Sequence, residues 1–304
     1  VVKVSSGRVV LEVDDPARSI RELTARARLA EHIIRILWRG PVHSRRDLEA
    51  SVRQGVAALR KYFSYGMTFA VKSDRFGSEL IESSIELSRI VGAAIMEAYT
   101  PLNISVSLDD PDVVVYACLE PRELSLGLLV TAQRPLHERC YRAYVHPSVL
   151  NPVVACAMLE LAGRPKRLLD PFCGSGTILI ERGGMGGSDM LLGIDVSIRH
   201  LRGALLNARE AGVPIDVIAA DVRKPPVRDL KVDAVVTNPP FGIREVAVGG
   251  IGPVYSALAR LSQRVTEKVV VLTPKMELMA RFFKGIIALR EELRLKQGGL
   301  TSYI

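Results

Sequence analysis

The sequence predicts an α/β protein in which an α+β region precedes a doubly wound, mostly parallel sheet. From Arg167 onward, short apolar runs alternate with amphipathic stretches, and this alternation is typical of parallel strands joined by crossover helices. A glycine turn, Gly174-Ser175-Gly176, follows the first apolar run, and a polar residue ends each of the next three. Before residue 147, predicted strands and helices are mixed with local turns, which favours an α+β arrangement.

The N-terminal region, residues 1–146, carries both helical and strand patterns. One helical pattern covers 20–38, has apolar residues near helical spacing and ends at Gly40-Pro41. A second long helix is predicted over 78–98, with Ser78 as its N-cap. The remaining predicted elements are a helix over 47–63 and strands over 9–13, 68–71, 104–108, 113–119 and 124–130.

The C-terminal region, residues 147–304, follows a link over 139–146 and carries the alternating pattern. Its predicted strands cover 167–170, 191–195, 216–221, 232–238 and 268–273. Its predicted helices cover 153–162, 197–211 and 254–264, and two more begin at 175 and 276. The tail is predicted to form an antiparallel hairpin of two strands, 286–296 and 300–304, separated by Gly298-Gly299.

Composition indicates a protein with a sizeable core. Of the 304 residues, 48% are hydrophobic and 24% are charged, which suits about two domains. No apolar run nears the roughly 18 residues that span a bilayer, and no signal-peptide pattern opens the chain, so a cytoplasmic protein is expected. No pair of cysteines has the close spacing of a zinc site, so buried thiols in a reducing cytosol are expected at Cys118, Cys140, Cys156 and Cys173.

The distribution of charge favours a polyanionic partner. The net charge is +8, with 15 Lys and Arg against 8 Asp and Glu in residues 1–75 and 21 against 15 in residues 150–304. Residues 76–149 are acidic, with 5 basic against 10 acidic side chains. Arginine binds phosphate with two parallel hydrogen bonds and stacks on bases, which indicates nucleic acid. A surface rich in ion pairs is the alternative.

Polar residues follow successive predicted strands, where open α/β sheets bind their ligands. The glycine turn lets a ligand approach the backbone closely and opens a helix N-terminus. Leu179 stands where a dinucleotide fingerprint needs glycine, and no Gly-Lys-Ser/Thr follows, so a cofactor without phosphates fits better. A glycine turn used only for packing is the alternative.

Two aspartates are predicted to bind the nucleoside part of such a cofactor. Asp195 lies about 20 residues after the turn, where a carboxylate can accept hydrogen bonds from ribose hydroxyls. Asp221 follows the third strand and can accept from an adenine amino group. The alternatives are a helix N-cap for Asp195 and a turn residue for Asp221.

The segment Asn238-Pro239-Pro240-Phe241 is the sharpest chemical signal. A purine amino group is a poor nucleophile, because its lone pair is delocalised into the ring. The Asn238 side-chain oxygen and the Pro239 carbonyl can accept both amino hydrogens and favour an sp³-like nitrogen. The prolines fix the direction of these acceptors, and Phe241 can stack on an extruded base. Orientation and charge stabilisation then supply the rate, without a covalent intermediate.

Other polar residues carry weaker signals. His146 is predicted to be structural, and Cys173 has no histidine partner that would make it a nucleophile. Tyr141, with Arg139 and Arg142, is predicted either to contact RNA or to make an interdomain contact.

Four motifs resemble the class I S-adenosylmethionine-dependent methyltransferases that modify amino groups. They are DPFCGSGT at 170–177, GID at 193–195, AAD at 219–221 and NPPFG at 238–242. The resemblance implies a doubly wound sheet with an antiparallel last strand over residues 147–304. It implies catalytic roles for Asn238, Pro239 and Phe241, and cofactor-binding roles for Asp170, Phe172, Gly174, Gly176, Thr177, Asp195, Asp221 and Asn238.

The N-terminal half resembles a ferredoxin-like segment followed by a THUMP domain, an RNA-binding module. The resemblance rests on 105–113, Gly127-Leu128 and 139–142. Together the halves resemble the THUMP-containing tRNA guanine-N2 methyltransferases. This implies S-adenosyl-L-methionine as cofactor, tRNA as partner, and a monomer that needs neither metal nor membrane. Asparagine rather than aspartate at 238 fits the enzymes that modify position 6 in the acceptor stem.

Several alternatives remain open from the sequence. Three alternatives are other methyltransferases. Their substrates would be another RNA guanosine (at position 10 or in rRNA), DNA adenine or protein glutamine. The others are a catalytically silent RNA-binding protein and a dinucleotide dehydrogenase. The basic N-terminal region argues against DNA and protein substrates, and the missing glycine fingerprint argues against the dehydrogenase.

Overall fold

A computed structural model of the protein describes residues 3–5, 7–145, 149–227, 230–242, 250–285, 293–297 and 300–304. The chain divides into two compact units, residues 1–136 and 137–304. The predicted domain limits, 1–146 and 147–304, remain a prediction, because their boundary lies at residues 146–148, outside the described residues.

The first unit contains a five-stranded mixed sheet with two long helices packed on one face. Its sheet has the order β3-β7-β6-β4-β5, in which β6, β4 and β5 run parallel and the other neighbours run antiparallel. Leu48, Leu87 and Val115 lie in its main core, which α2 and α3 form with the sheet. The elements are β1 Lys3–Ser5, β2 Arg8–Val10, α1 Pro16–Arg26, β3 Ile34–Pro41, α2 Arg45–Leu59, β4 Thr68–Arg75, α3 Ser84–Ala98, β5 Ser105–Val106, β6 Val113–Glu120 and β7 Glu123–Leu129.

Two helices of this unit have limits that differ from the predicted ones. The helix predicted over 20–38 is wrong beyond Arg26, because β3 pairs with β7 and so forms an edge of the sheet. Cross-strand pairing here overrides an apolar spacing that fits a helix. The N-cap predicted at Ser78 is also wrong. Ser83 accepts a hydrogen bond from the Glu86 amide at 3.2 Å and begins α3 one residue later.

The second unit contains the predicted parallel sheet, in the order β10-β9-β8-β11-β12. Helices α4, α5 and α6 contribute to the core on one face, and α7 and α8 to the core on the other. Neighbouring residues of one strand, such as Leu168 and Leu169, belong to opposite cores, as strand geometry requires. The elements are α4 Pro152–Leu161, β8 Arg167–Asp170, α5 Thr177–Gly184, β9 Met190–Asp195, α6 Ile198–Ala211, β10 Asp216–Ala219, β11 Ala234–Thr237, α7 Ile251–Val265, β12 Val269–Val271, α8 Met276–Phe283, β13 Arg294–Gln297 and β14 Leu300–Tyr303.

The last strand is antiparallel, as predicted. β13 and β14 pair antiparallel, and Tyr303 exchanges two backbone hydrogen bonds with Thr273, of 2.8 and 2.9 Å, just beyond β12. Residues 286–292 and 298–299 of the predicted tail lie outside the described residues. In the described part of the chain, no helix has both the length and the apolar character that crossing a membrane requires.

Candidate functional site

The candidate site lies where the order of the parallel sheet reverses. β8 is central, with β9 on one side and β11 on the other, and the three strands end at Asp170, Asp195 and Thr237. Crossover helices leave in opposite directions from such a point, so a crevice opens beyond the strand ends. The predicted glycine turn and the Asn238 segment both begin at this edge.

Asp170 is buried beneath the turn and joins two strand ends. Its Oδ1 accepts hydrogen bonds from the Thr237 hydroxyl at 2.7 Å and from the Phe172 amide at 3.1 Å. Burial raises the pKa of Asp170 to about 7, and the nearby charge of Asp195 acts in the same direction. Thr237 was not identified from the sequence, although a polar residue ending an apolar strand is a usable signal. Its hydroxyl fixes the end of β11 against β8.

The glycine turn has the backbone geometry that only glycine adopts easily. Gly174 and Gly176 have φ of 50° and 81°. A Cβ at Gly174 would meet no atom within 4 Å, whereas one at Gly176 would lie 3.1 Å from the Cβ of Ala204. Gly174 therefore faces open space, and Gly176 allows α5 to pack on α6. Thr177 is buried as the first residue of α5.

Cys173 is a packing residue. Its side chain is buried, and a Cβ at Gly193 would lie 2.7 Å from its Sγ. Burial raises the pKa of Cys173 well above its usual range, so the sulfur stays a thiol. This supports the expectation that Cys173 is not a nucleophile.

Asp195 joins β9 to the glycine turn. Its Oδ2 accepts a hydrogen bond from the Gly174 amide at 3.0 Å, and its Oδ1 accepts one from the Ser197 amide at 2.8 Å. Each oxygen of a carboxylate can accept more than one hydrogen bond. Asp195 therefore orients the turn and keeps capacity for ligand hydroxyls. The N-cap of α6, considered for Asp195, is in fact Ser197.

Asp221 lies two residues beyond the end of β10, and Arg223 holds its carboxylate. The Arg223 Nε lies 2.9 Å from Oδ2 and 3.0 Å from Oδ1, and the Arg223 amide donates to Oδ1 at 2.8 Å. The hydrogen bonds from Arg223 are the main reason that the pKa of Asp221 is lowered. Both the turn geometry and an exposed carboxylate are present, so the predicted adenine contact stays a prediction.

The Asn238–Phe241 segment starts directly after β11. Asn238 is half-buried, and its Oδ1 is a buried acceptor for which the structure shows no donor within the described residues. Pro239 is buried and Phe241 is half-buried. Buried polar atoms in folded proteins nearly always have a partner. Among the described residues, this oxygen therefore keeps its capacity to accept a hydrogen bond from a ligand.

Tyr255 supports this segment from α7. Its side chain is fully buried, and its hydroxyl donates to the Pro240 carbonyl at 3.3 Å and lies 3.4 Å from the Thr273 hydroxyl. Desolvation raises the pKa of Tyr255, so the group remains a neutral donor. Tyr255 was not identified from the sequence, where it reads as one aromatic residue of an amphipathic helix.

The link segment forms hydrogen bonds to other residues of the second unit. Arg139 and Tyr141 both donate to Glu181 Oε1 on α5, at 2.9 and 2.8 Å, and Cys156 donates to Oε2 at 3.1 Å. Arg142 donates to the Leu150 carbonyl at 2.7 Å. These contacts lie within the second unit, and the RNA or interdomain contact predicted for Tyr141, Arg139 and Arg142 stays a prediction. His146 lies outside the described residues.

The structure thus brings all the predicted site residues to one edge of the sheet. They fall on the turn after β8, the end of β9, the loop after β10 and the segment after β11. Their individual roles in binding and catalysis remain predictions. Across the described ranges, no group of three or more His, Cys, Asp and Glu side chains could hold a metal ion.

Comparison with known proteins assigns each half of the chain to a domain family. Residues 46–129 match the family model of the THUMP domain, and residues 139–301 match that of the RMKL-like methyltransferase domain. The chain is 32% identical to the tRNA (guanine(6)-N2)-methyltransferase of Thermus thermophilus, over 98% of this chain and 88% of that one. It is 29% identical to the enzyme of the same name from Archaeoglobus fulgidus, over 91% of this chain and 78% of the relative.

Solved structures agree with this assignment. The crystal structure of TrmN from Thermus thermophilus is 31% identical, with a TM-score of 0.76, and covers 91% of this chain and 82% of that chain. The methyltransferase SMU.472, solved with SAH, has a TM-score of 0.65 at 18% identity, which shows the fold alone. From its sequence, its fold and these matches, the chain belongs to the THUMP-containing methyltransferases with an RMKL-like methyltransferase domain.

Proposed function

We propose that this protein transfers a methyl group from S-adenosyl-L-methionine to the exocyclic N2 amine of a guanosine in tRNA. The observation that carries the proposal is the Oδ1 of Asn238, a buried acceptor directly after β11 that has no donor among the described residues. β11 pairs with β8, and the end of β8 carries the glycine turn. An acceptor and a turn that a ligand can approach therefore share one crevice.

The residues around the turn fit this cofactor. Gly174 leaves open space, and Asp195 can accept from ribose hydroxyls while it holds the Gly174 amide. A cofactor without phosphates suits a turn that lacks the full dinucleotide fingerprint. When bound, S-adenosyl-L-methionine would supply an electrophilic methyl group, and its transfer to the amine nitrogen would release S-adenosylhomocysteine and one amine proton.

The Asn238–Phe241 segment acts on the amine. Asn238 Oδ1 and the Pro239 carbonyl accept the two amino hydrogens and so concentrate the lone pair on nitrogen. Tyr255 holds the Pro240 carbonyl, which limits movement of the segment. Phe241 stacks on the extruded base. The residues thus supply orientation and electrostatic stabilisation, each of which is worth orders of magnitude in rate.

The substrate is assigned from the whole chain. Its net charge of +8 suits a polyanion, and a THUMP domain occupies residues 46–129. Relatives named for guanine 6 match over 72–98% of this chain, whereas those named for guanine 10 match over 60–69%. On this support we propose position 6 as the modified guanosine. We further propose a cytoplasmic monomer that needs no metal, to be checked by gel filtration and by activity in EDTA.

The test is methyl transfer from labelled S-adenosyl-L-methionine to unmodified tRNA, DNA and peptide. Mass spectrometry of the digested tRNA is expected to find labelled N2-methylguanosine in the fragment that contains position 6. A tRNA transcript with adenosine at that position is the matched control and should stay unlabelled. Label at another guanosine would reject the position, and label only in DNA or peptide would reject the substrate.

A further inference from the structure

A buried asparagine on α6 joins the link segment to the glycine turn. Asn207 is 1% exposed. Its Oδ1 accepts a hydrogen bond from the Tyr144 amide at 2.7 Å, and its Nδ2 donates to the Tyr144 carbonyl at 2.8 Å and to the Ser175 carbonyl at 3.1 Å. One side chain therefore binds the backbone of two segments that are 31 residues apart in sequence.

The Tyr144 ring lies on the same face of α6. A Cβ at Gly203 would lie 2.1 Å from the ring, so only glycine leaves room for it there. The ring centroid is 6.3 Å from that of His200, whose Nδ1 lies 3.9 Å from Asp195 Oδ1. Residues 200, 203 and 207 recur at helical spacing and so share one face. This face of α6 borders both the turn and Asp195.

The glycine turn needs such a restraint. Ser175 stands between Gly174 and Gly176, both of which have positive φ, and glycine gives the backbone more conformational freedom than any other residue. A loop that is already held in its binding geometry loses less entropy when it binds. The hydrogen bond from Asn207 to the Ser175 carbonyl fixes the peptide between the two glycines. The Tyr144 segment, held by the same amide, keeps that amide oriented.

We infer that Asn207 is a positioning residue for the cofactor, which fastens Tyr144 and the glycine turn to one face of α6 and so preorganises the turn for a sulfonium nucleoside. The inference rests on the proposed function, since the turn is assigned there to S-adenosyl-L-methionine. Asn207 acts through Ser175 and Tyr144. Its removal therefore weakens cofactor binding and leaves the Asn238–Phe241 segment intact.

Three variants of the full chain test the inference. Asn207→Asp keeps the acceptor for the Tyr144 amide but loses both donated hydrogen bonds. Tyr144→Ala removes the ring and keeps the backbone contacts, and it serves as the milder variant should Asn207→Asp fail to fold. Glu210→Gln, exposed on the same helix, is the control. Calorimetry gives the Kd of S-adenosylhomocysteine, kinetics give KM and kcat, and thermal unfolding gives Tm.

The expected result is a change in cofactor affinity without a change in chemistry. Asn207→Asp raises the Kd of S-adenosylhomocysteine and the KM of S-adenosyl-L-methionine at least about tenfold, or about 1.4 kcal/mol. Tyr144→Ala raises both about threefold or more. The kcat at saturating cofactor stays within about twofold for each variant, and Glu210→Gln leaves all values unchanged.

Other outcomes overturn the inference. A folded Asn207→Asp or Tyr144→Ala chain with wild-type Kd would leave Asn207 a purely structural residue, even if its Tm falls. A loss of kcat at unchanged KM would place its effect on the chemistry instead. A wild-type chain that binds no S-adenosylhomocysteine would refute the proposed function itself. Wild-type binding with unchanged variant affinity would refute this inference alone.

Discussion

The Oδ1 atom of Asn238 is a buried acceptor that lacks a donor among the described residues. Leaving such a group unpaired costs about 1–3 kcal/mol. A site that is completed by a substrate amine recovers this cost at the moment of binding. The oxygen that lacks a hydrogen bond in the free protein is therefore the atom proposed to accept one from the substrate amine.

Replacing Asn238 with alanine tests that link. We expect Asn238→Ala to lower kcat for tRNA methylation by about 100-fold or more, because one of two acceptors for the amine is lost. Binding of tRNA, measured by filter retention, should stay within about twofold. Asn238→Asp, which keeps an oxygen at the same place, should retain more activity than Asn238→Ala. Wild-type turnover by Asn238→Ala would reject the proposed mechanism.

Asp170 predicts a pH dependence of stability. Burial raises its pKa from the ordinary value of 3.8 to about 7 in the folded protein. Between these values the folded state holds a proton that the unfolded state has lost. The contribution of Asp170 to stability is therefore present below about pH 4 and is lost as pH rises through about 7.

Asp170→Asn removes this dependence, because an amide does not titrate. Relative to the wild type, its free energy of unfolding is expected to rise by about 2–4 kcal/mol between pH 4 and pH 7. Urea denaturation at a series of pH values measures the difference. Parallel profiles for the two proteins would show that Asp170 titrates normally in the folded state.

Helix α5 starts at the glycine turn and is fixed by a carboxylate on its buried side. Glu181 is fully buried and binds Arg139, Tyr141 and Cys156. Desolvation opposes its ionisation, yet the Arg139 charge and three hydrogen bonds keep the pKa of Glu181 below its ordinary value. The link segment is thereby attached to the helix that begins at the proposed cofactor turn.

Removing that carboxylate should destabilise the second unit. Glu181→Ala removes the carboxylate that pairs with the half-buried Arg139, and breaking a buried pair costs about 3–5 kcal/mol. Urea denaturation followed by circular dichroism would measure the loss. Glu160→Ala, on α4, breaks an exposed pair with Arg164, is the matched control and should change stability little. Equal effects of both variants would contradict the role of burial.

The molecule as a whole combines basic and acidic regions. Residues 1–75 and 150–304 carry the positive charge, whereas residues 76–149 are net acidic. The ionic strength sets the distance over which surface charges act, and an excess of positive charge favours association with polyanions. Binding of tRNA should therefore depend on salt in a way that binding of the cofactor does not.

A salt titration separates the two ligands. Between 50 and 200 mM KCl the affinity for tRNA is expected to fall at least about tenfold, since each neutralised phosphate releases a counterion. The affinity for S-adenosylhomocysteine, measured under the same conditions, should stay within about twofold. A salt-independent tRNA affinity would mean that the basic residues make few phosphate contacts.

Much of the fold and of the candidate site follows from local sequence. The five parallel strands, the antiparallel end and the polar residues at strand ends were all predictable, because they depend on short apolar runs and on glycine and proline chemistry. The family follows from the same motifs. The order of these motifs along the chain was enough to predict that they share one site, because the topology of a doubly wound sheet brings successive strand ends together.

The tertiary structure decided what depends on partners distant in sequence. Ile34–Pro41 is a strand because β7 pairs with it, although its apolar spacing fits a helix. Thr237, Glu181 and Asn207 each look like an isolated polar residue in an apolar stretch, and their roles appear only when Asp170, Arg139 and Tyr144 are placed beside them. Sequence determined which chemistry the chain carries, because each motif is local. Structure decided how that chemistry is held, because a buried polar group is stable only where the fold supplies its partner.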